Sequence, residues 1–200
     1  MAAGDQQSES EAPNAESLAG AIKKAAKKGP PPVHLWNPPF CGDLDMRIAR
    51  DGTWWYLGTP IGRPALVRLF ASVIRKDDDA YFLVTPVEKV GITVDDAPFV
   101  AVDFRVESGA EGPRLIFTTN VADETEAGPE HPIRVSRDPE TGEPSPYVHV
   151  RADLEALIDR KSFYRLVDLG EHEDVDGASW FGLRSGGVFF PILPSAELDV

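Results

Sequence analysis

Two arginines stand at matching places in two similar segments. Arg63 opens the run Arg63-Pro-Ala-Leu-Val-Arg-Leu-Phe70, and Arg151 opens Arg151-Ala-Asp-Leu-Glu-Ala-Leu-Ile158, with leucines in register at Leu66/Leu154 and Leu69/Leu157. Apolar residues at i, i+3 and i+4 predict a helix in each segment, over 62–74 and 152–161. A helix start favours an acid over a base. A base held there adds to the field of free N–H groups, which is a natural anion site, and a guanidinium fork can hold phosphate oxygens in pairs. Pairing with a carboxylate such as Glu88 or Asp153 is the competing use of the same arginines. Arg47 and Lys89 are the further cations expected to border a shared groove, with Trp36 or Tyr147 available to stack on a planar ligand.

These residues need a frame to position them. Tyr81-Phe-Leu-Val84 follows the first helical segment and Tyr164-Arg-Leu-Val167 the second, again with Tyr, Leu and Val in register. Lys76-Asp-Asp-Asp-Ala80 reads as a polar loop insertion in the first copy. The pattern is therefore a strand–helix–strand unit present twice, and a groove between two such units is where a ligand site is expected. Around it, residues 46–50 alternate, Asp51-Gly52 is a hairpin turn and 53–57 is the returning strand. Strands are expected at 81–85, 90–94, 99–106, 114–119, 132–136, 147–150, 163–169, 179–183 and 188–192. The acidic stretches 122–130 and 171–174 read as connections. The fold class is α+β, with two subdomains rich in antiparallel sheet and an internal duplication. Residues 1–32 form a disordered tail (1–16) plus a short amphipathic helix, 33–95 an N-terminal α+β domain and 96–200 a β-rich C-terminal domain.

Composition excludes several classes. The 200 residues are 42% apolar, enough for a core, and carry a net charge of −13. The four acids and four lysines of residues 1–30 cancel, so the excess lies on the globule. Non-specific nucleic-acid binding needs a basic field, so bulk nucleic acid is not an expected partner. No apolar run reaches the ~18 residues needed to span a bilayer, and no membrane partner is expected. The start lacks the basic and apolar regions of a secretory signal, and Cys41 is the single cysteine, so a cytoplasmic setting follows. No P-loop, dinucleotide fingerprint, nucleophile elbow or zinc-protease motif is present. His34, His131, His149 and His172 show no ligand spacing. No cofactor, metal site or catalytic residue is expected.

A wider set of residues carries a family resemblance. Trp36-Asn-Pro-Pro39, Cys41-Gly42, Asp45-Met-Arg-Ile48, Asp51-Gly-Thr-Trp54, Gly58-Thr-Pro-Ile61 and Leu83-Val-Thr-Pro-Val-Glu-Lys89 resemble the bacterial family catalogued as domain of unknown function 1285. Ala97-Pro-Phe-Val-Ala101, Thr118-Thr-Asn120, Pro146-Tyr-Val-His-Val-Arg151 and Ser185-Gly-Gly-Val-Phe-Phe190 continue it to about residue 193. Arg184-Ser-Gly186 departs from it where a Trp-Ser-Gly is expected. The resemblance implies two α+β domains with internal duplication, the second superficially like a pleckstrin-homology barrel. It also implies a nucleotide-like ligand between them and a signalling role, with no established activity. The expectation is thus a binding module for a small anion, with a nucleotide as the named candidate and the protein partner unknown. The alternatives are a hydrolase of a small phosphorylated substrate using Asp45, Asp51 or Glu88, and an interaction scaffold without ligand.

Overall fold

The computed structural model describes residues 14–26 and 30–198. The expected disorder of residues 1–16 falls mostly outside this range, but Asn14, Ala15 and Glu16 are within it and begin a helix. In α1 (Ala15–Ala25), Asn14 Oδ1 caps the first turn by accepting from the backbone N–H groups of Glu16 and Ser17 at 3.1 and 2.9 Å, satisfying donors that have no partner inside the helix. Its apolar face, Leu18, Ala19 and Ile22, is buried against α2 (Pro64–Ala71). Among the described residues no helix is long and apolar enough to cross a membrane.

The first sheet is built from β1 (Phe40–Ile48), β2 (Trp54–Tyr56), β3 (Thr59–Pro60), β4 (Ile74–Asp77), β5 (Ala80–Val84) and β6 (Lys89–Val94), in the order β3-β2-β1-β6-β5-β4. The second is built from β7 (Phe99–Gly109), β8 (Gly112–Thr119), β9 (Glu124–Glu126), β10 (Ile133–Arg137), β11 (Pro144–Arg151) and β12 (Leu154–Ile158), in the order β10-β11-β12-β7-β8-β9. Counted within its own sheet, each order is the same: third, second, first, sixth, fifth, fourth. In both sheets the first and sixth strands pair in parallel at the centre, and every other pairing is antiparallel. The chain then forms α3 (Arg160–Val167) and a three-stranded sheet of β13 (Glu171–Val175), β14 (Ala178–Ser185) and β15 (Val188–Pro194). This small sheet packs on the second one through β8 and β10. One apolar cluster runs through the molecule, from Trp54 and Phe70 in the first half to Phe99, Phe117 and Leu154 in the second.

The duplication is therefore real, but its equivalences differ from those expected. Residues 154–158 are not helical. Leu154, Ala156 and Ile158 are buried and alternate with half-buried Glu155 and Leu157, as befits a strand with neighbours on both edges. The helix begins later, where Asp159 accepts from Ser162 N–H at 2.7 Å, and it covers much of the span expected as a strand at 163–169. Arg151 thus closes a strand and opens no helix. The topological counterpart of β5, which carries Tyr81, is β11, which carries Tyr147. The segment read as a loop insertion, 76–80, is the β4–β5 hairpin, with Asp78 at φ 54° in its turn. The acidic run 171–174 lies on β13, and the acidic connection 122–130 contains β9.

The halves dock through a few polar contacts over this core. Asn120 accepts from Val100 N–H at 3.1 Å and donates to the Gly52 carbonyl at 3.2 Å. Gly52 sits in the β1–β2 turn at φ 83°, and a Cβ there would lie 2.5 Å from Asn120 Nδ2. Both the left-handed backbone and the close approach require glycine. Gly52→Ala is expected to destabilise the fold by about 2 kcal/mol or more. Asn120→Ala, which removes the obstructing side chain and two hydrogen bonds, should cost about 1–2 kcal/mol. Urea unfolding of the two variants and their double mutant checks this, the double falling short of the sum because the clash is then relieved.

Candidate functional site

The site starts from a short strand. In β4, Ile74 turns into the core, which places Arg75 and Asp77 on one face of the sheet and Lys76 on the other. Arg75 is held on all sides. Its Nε and Nη2 donate to Asp77 at 2.7 and 2.8 Å, and its Nη1 donates to the Trp36 carbonyl at 2.7 Å. That last bond fastens the short 3-10 turn Val33–Leu35 and the following Trp36 to the sheet edge. From the second half, the β11–β12 turn brings Arg151, Ala152 and Asp153 opposite β4. Arg151 pairs with Asp123, donates to the Ala71 carbonyl at the end of α2 at 2.8 Å, and lies over the Phe99 ring at 4.8 Å.

Between these elements is a cavity of about 760 Å³. The first half lines it with Pro30, Val33, His34, Ser72, Ile74, Arg75, Lys76 and Asp77, and the second with Asp123, Arg151, Ala152, Asp153 and Leu154. Its formal charges balance: Arg75, Lys76 and Arg151 against Asp77, Asp123 and Asp153. The cations are not equivalent. Arg75 and Arg151 are engaged by carboxylates, whereas Lys76 makes no ion pair among the described residues and lies 5.7 Å from the Tyr81 ring centre.

Of the residues expected at a ligand site, Arg151 lines this cavity. Lys89 and Trp36 reach it at one remove: the Lys89 ammonium pairs with Asp77 at 2.8 Å while lying over the Phe82 ring at 4.1 Å, and Trp36 touches it through Arg75. The other three are elsewhere. Arg47 is exposed on β1 and bound bidentately by Asp95 at 2.8 and 2.5 Å. Arg63 is the exposed N-cap residue of α2 and makes no side-chain capping bond. Tyr147 is buried, its hydroxyl donating to Asp96 at 2.7 Å with the Arg134 guanidinium over its ring at 4.1 Å. Burial pushes the Tyr147 phenol above its ordinary value, assisted by that same aspartate. The expected hydrolytic acids do not converge here either. Asp45 is exposed on β1, Asp51 accepts from Thr53 N–H in the first hairpin turn, and Glu88 sits before β6, where burial raises its carboxyl.

The sequence does not single out Arg75, Lys76 and Asp77, because Arg75 follows the helix expected over 62–74 and Lys76 and Asp77 fall in the expected loop insertion. The signal was present: Ile74-Arg-Lys-Asp77 and Ala80-Tyr-Phe-Leu-Val84 flank an Asp-Asp pair, the form of a tight hairpin.

A twice-used six-strand topology with a cavity between its copies defines an α+β protein of duplicated mixed sheets. The comparisons specify it further. Residues 31–97 match the model described as "Domain of unknown function (DUF1285), N-terminal domain", and residues 98–192 match "Protein of unknown function (DUF1285), C-terminal domain". The chain belongs to the DUF1285 family. It is 62% identical to a DUF1285 family protein from Silicibacter pomeroyi DSS-3, whose crystal structure superposes with a TM-score of 0.83, covering 92% of this chain and 98% of that one. A DUF1285 family protein from Shewanella baltica OS155 is 30% identical, with a TM-score of 0.50, covering 62% of this chain and 91% of that one. No curated protein matches the chain.

Asp77 is the electrostatic hub of the site. Hydrogen bonds from Arg75 above all, and from Lys89, hold its carboxyl below the usual carboxylate range. A depressed folded-state value means that the stabilisation is complete above the unfolded-state value, about 3.9 for Asp, and is lost as the pH falls through the lower folded value. Asp77→Asn is expected to cost about 1–2 kcal/mol at pH 7, discounted for partial exposure. Its deficit against the native chain should shrink below about pH 4. Urea unfolding at pH 7 and pH 3 measures both.

Proposed function

We propose that this protein is a ligand-binding module whose site is the cavity between its two halves, and that its ligand is a small anion with a short aliphatic body. The observation that carries this reading is Lys76. In a chain with 33 acids and 20 lysines and arginines, a cavity-lining lysine without a carboxylate partner among the described residues is conspicuous. The neighbouring Arg151 is fixed by Asp123 and the Ala71 carbonyl, so its remaining N–H groups are pre-oriented. Together they offer an anion one mobile charge and one fixed fork. Pro30, Val33, Ile74 and Leu154 supply an apolar wall.

A nucleotide meets the anion requirement through its phosphate. No Phe, Tyr or Trp side chain lines the cavity among the described residues, so a base would lack the stacking partner expected of Trp36 or Tyr147. This favours short carboxylates and phosphates over nucleotides. A signalling role fits the geometry in one respect: an anion drawing Arg151 from the Ala71 carbonyl would loosen a contact between the halves, so occupancy would alter how they dock.

The test is a thermal-shift panel of aliphatic carboxylates, phosphomonoesters and nucleoside monophosphates. A ligand at a hundred times its dissociation constant stabilises by about 2.7 kcal/mol, which for a chain this size is a shift on the order of 5–10 °C. Lys76→Ala is expected to abolish the shift and leave the unliganded melting temperature within about 2 °C, since a half-exposed lysine contributes little to stability. A shift that survives Lys76→Ala places the ligand elsewhere. A panel without any shift favours the scaffold.

A further inference from the structure

His131 and His149 are eighteen residues apart in sequence and carry no recognisable ligand spacing, yet the fold sets them face to face. Their Nδ1 atoms are 2.9 Å apart and their rings are tilted by 31° with centroids at 5.0 Å. Both backbones are fixed. His131 exchanges backbone hydrogen bonds with Gly128 at 3.1 and 3.2 Å; His149 N–H donates to the Pro132 carbonyl at 3.0 Å, and its carbonyl accepts from Thr125 Oγ1 at 3.0 Å. The tautomers follow from the remaining contacts. His149 Nε2 meets the Ala152 carbonyl, which can only accept, so Nε2 carries the proton and His149 Nδ1 presents its lone pair. His131 Nδ1 must then be the donor between the rings.

An imidazole whose far nitrogen donates to a backbone carbonyl, leaving the near one as a lone pair in a fixed direction, is the usual arrangement of a metal-ligating histidine. The spacing agrees. With metal–nitrogen bonds of about 2.0–2.1 Å, two ligands at a right angle are about 2.9 Å apart and two at a tetrahedral angle about 3.3 Å. The observed separation is that of an N–H···N hydrogen bond and lies within a few tenths of an ångström of both, and among divalent first-row ions a site of imidazoles holds copper(II) most tightly. Access is open, because His131 is half-exposed and borders a surface cavity of about 670 Å³ with Glu126 and Glu130 on its rim. Among the described residues no group of three or more His, Cys, Asp and Glu side chains is poised around a common point, so the protein supplies two ligands and water the rest.

We propose that His131 and His149 form a binding site for one divalent transition-metal ion, with copper(II) the best match, each ring ligating through Nδ1. On binding, the metal replaces the shared proton. His131 loses its Nδ1 proton and carries one on Nε2 instead, its ring turning so that both lone pairs face the ion. His149 keeps its Nε2–H bond to Ala152. No net proton is released, and no redox step is involved.

The experiment is a titration of the full chain with copper(II) chloride against glycine as a competing chelator. It is read by calorimetry, by the nitrogen hyperfine structure of the electron paramagnetic resonance spectrum, and by the ring-nitrogen signals of the four histidines. One equivalent is expected, with a two-imidazole signature and selective broadening of His131 and His149. His131→Gln and His149→Gln should each weaken binding by at least about tenfold, no less than the loss seen when only the outer support of a ligand is removed. His34→Gln and His172→Gln should leave it unchanged. The proposal fails if the double variant His131→Gln/His149→Gln binds as the native chain does, since the ion is then held elsewhere, or if the native chain shows no saturable binding against glycine. Should the variants not fold, selective broadening in the native chain decides alone, and its absence overturns the assignment.

Discussion

Residues 95–98 are all that separates the last strand of the first sheet from the first strand of the second, and two of them are aspartates on which the docking depends. Asp95 is held by Arg47 from β1, and Asp96 receives the Tyr147 hydroxyl from β11 and lies 2.9 Å from the Arg50 guanidinium of the first hairpin. Arg50 also donates to Ser145 at the start of β11. The linker acids therefore bind groups from both halves within a few residues of the crossing point. Because each sheet places its sixth strand beside its first, that crossing leaves the centre of one sheet and enters the centre of the next. A short, pinned crossing between two sheet centres fixes their relative placement. The β11–β12 turn must then face β4, and the cavity is the space left between them.

The elements legible in the sequence were those whose local signals agreed with their tertiary surroundings. The Asp51-Gly52 turn, the aromatic return strand after it, the Pro64 helix start and the strands 99–106 and 114–119 all belong to this group. The misread element shows the limit. Leu154-Glu-Ala-Leu-Ile158 consists mostly of good helix formers, and its apolar residues satisfy both a spacing of 3 and 4 and a spacing of 2. Its place between β7 and β11, each offering a full edge of N–H and C=O groups, decides the matter, and that pairing is invisible to a local reading. The capping aspartate at position 159 marked the true helix start.

The site residues were harder to read for an electrostatic reason. With acids in excess, an arginine near a sheet or turn meets a carboxylate more readily than an external anion. Arg47 finds Asp95, Arg75 finds Asp77, Arg134 finds Glu155, and Arg151 finds Asp123. Most of these pairs are partly solvated and each contributes little alone. Collectively they remove the guanidinium groups from the pool of available ligand contacts. In such a chain the informative cation is one that lines a cavity without an ion pair among the described residues, and here it is a lysine on a strand too short to be recognised.

The two sheets share a strand order but not their connections, and the difference is concentrated in one place. Between its third and fourth strands the first sheet carries α2, whose end and the strand after it supply Ser72, Ile74, Arg75, Lys76 and Asp77 to the cavity. The equivalent connection in the second sheet is the loop 127–132, with no helix, and it carries His131. Strand order in a duplicated sheet is constrained by pairing, since a change in any strand disrupts the ladder on both sides. A connection is bound only at its ends and is free to change length and chemistry. Each of the two proposed sites draws at least one residue from this connection or the strand that follows it. The β11–β12 turn touches both: Arg151 and Asp153 line the cavity, and Ala152 fixes the His149 ring. The repeat supplies the rigid frame, and the departures from it carry the proposed sites.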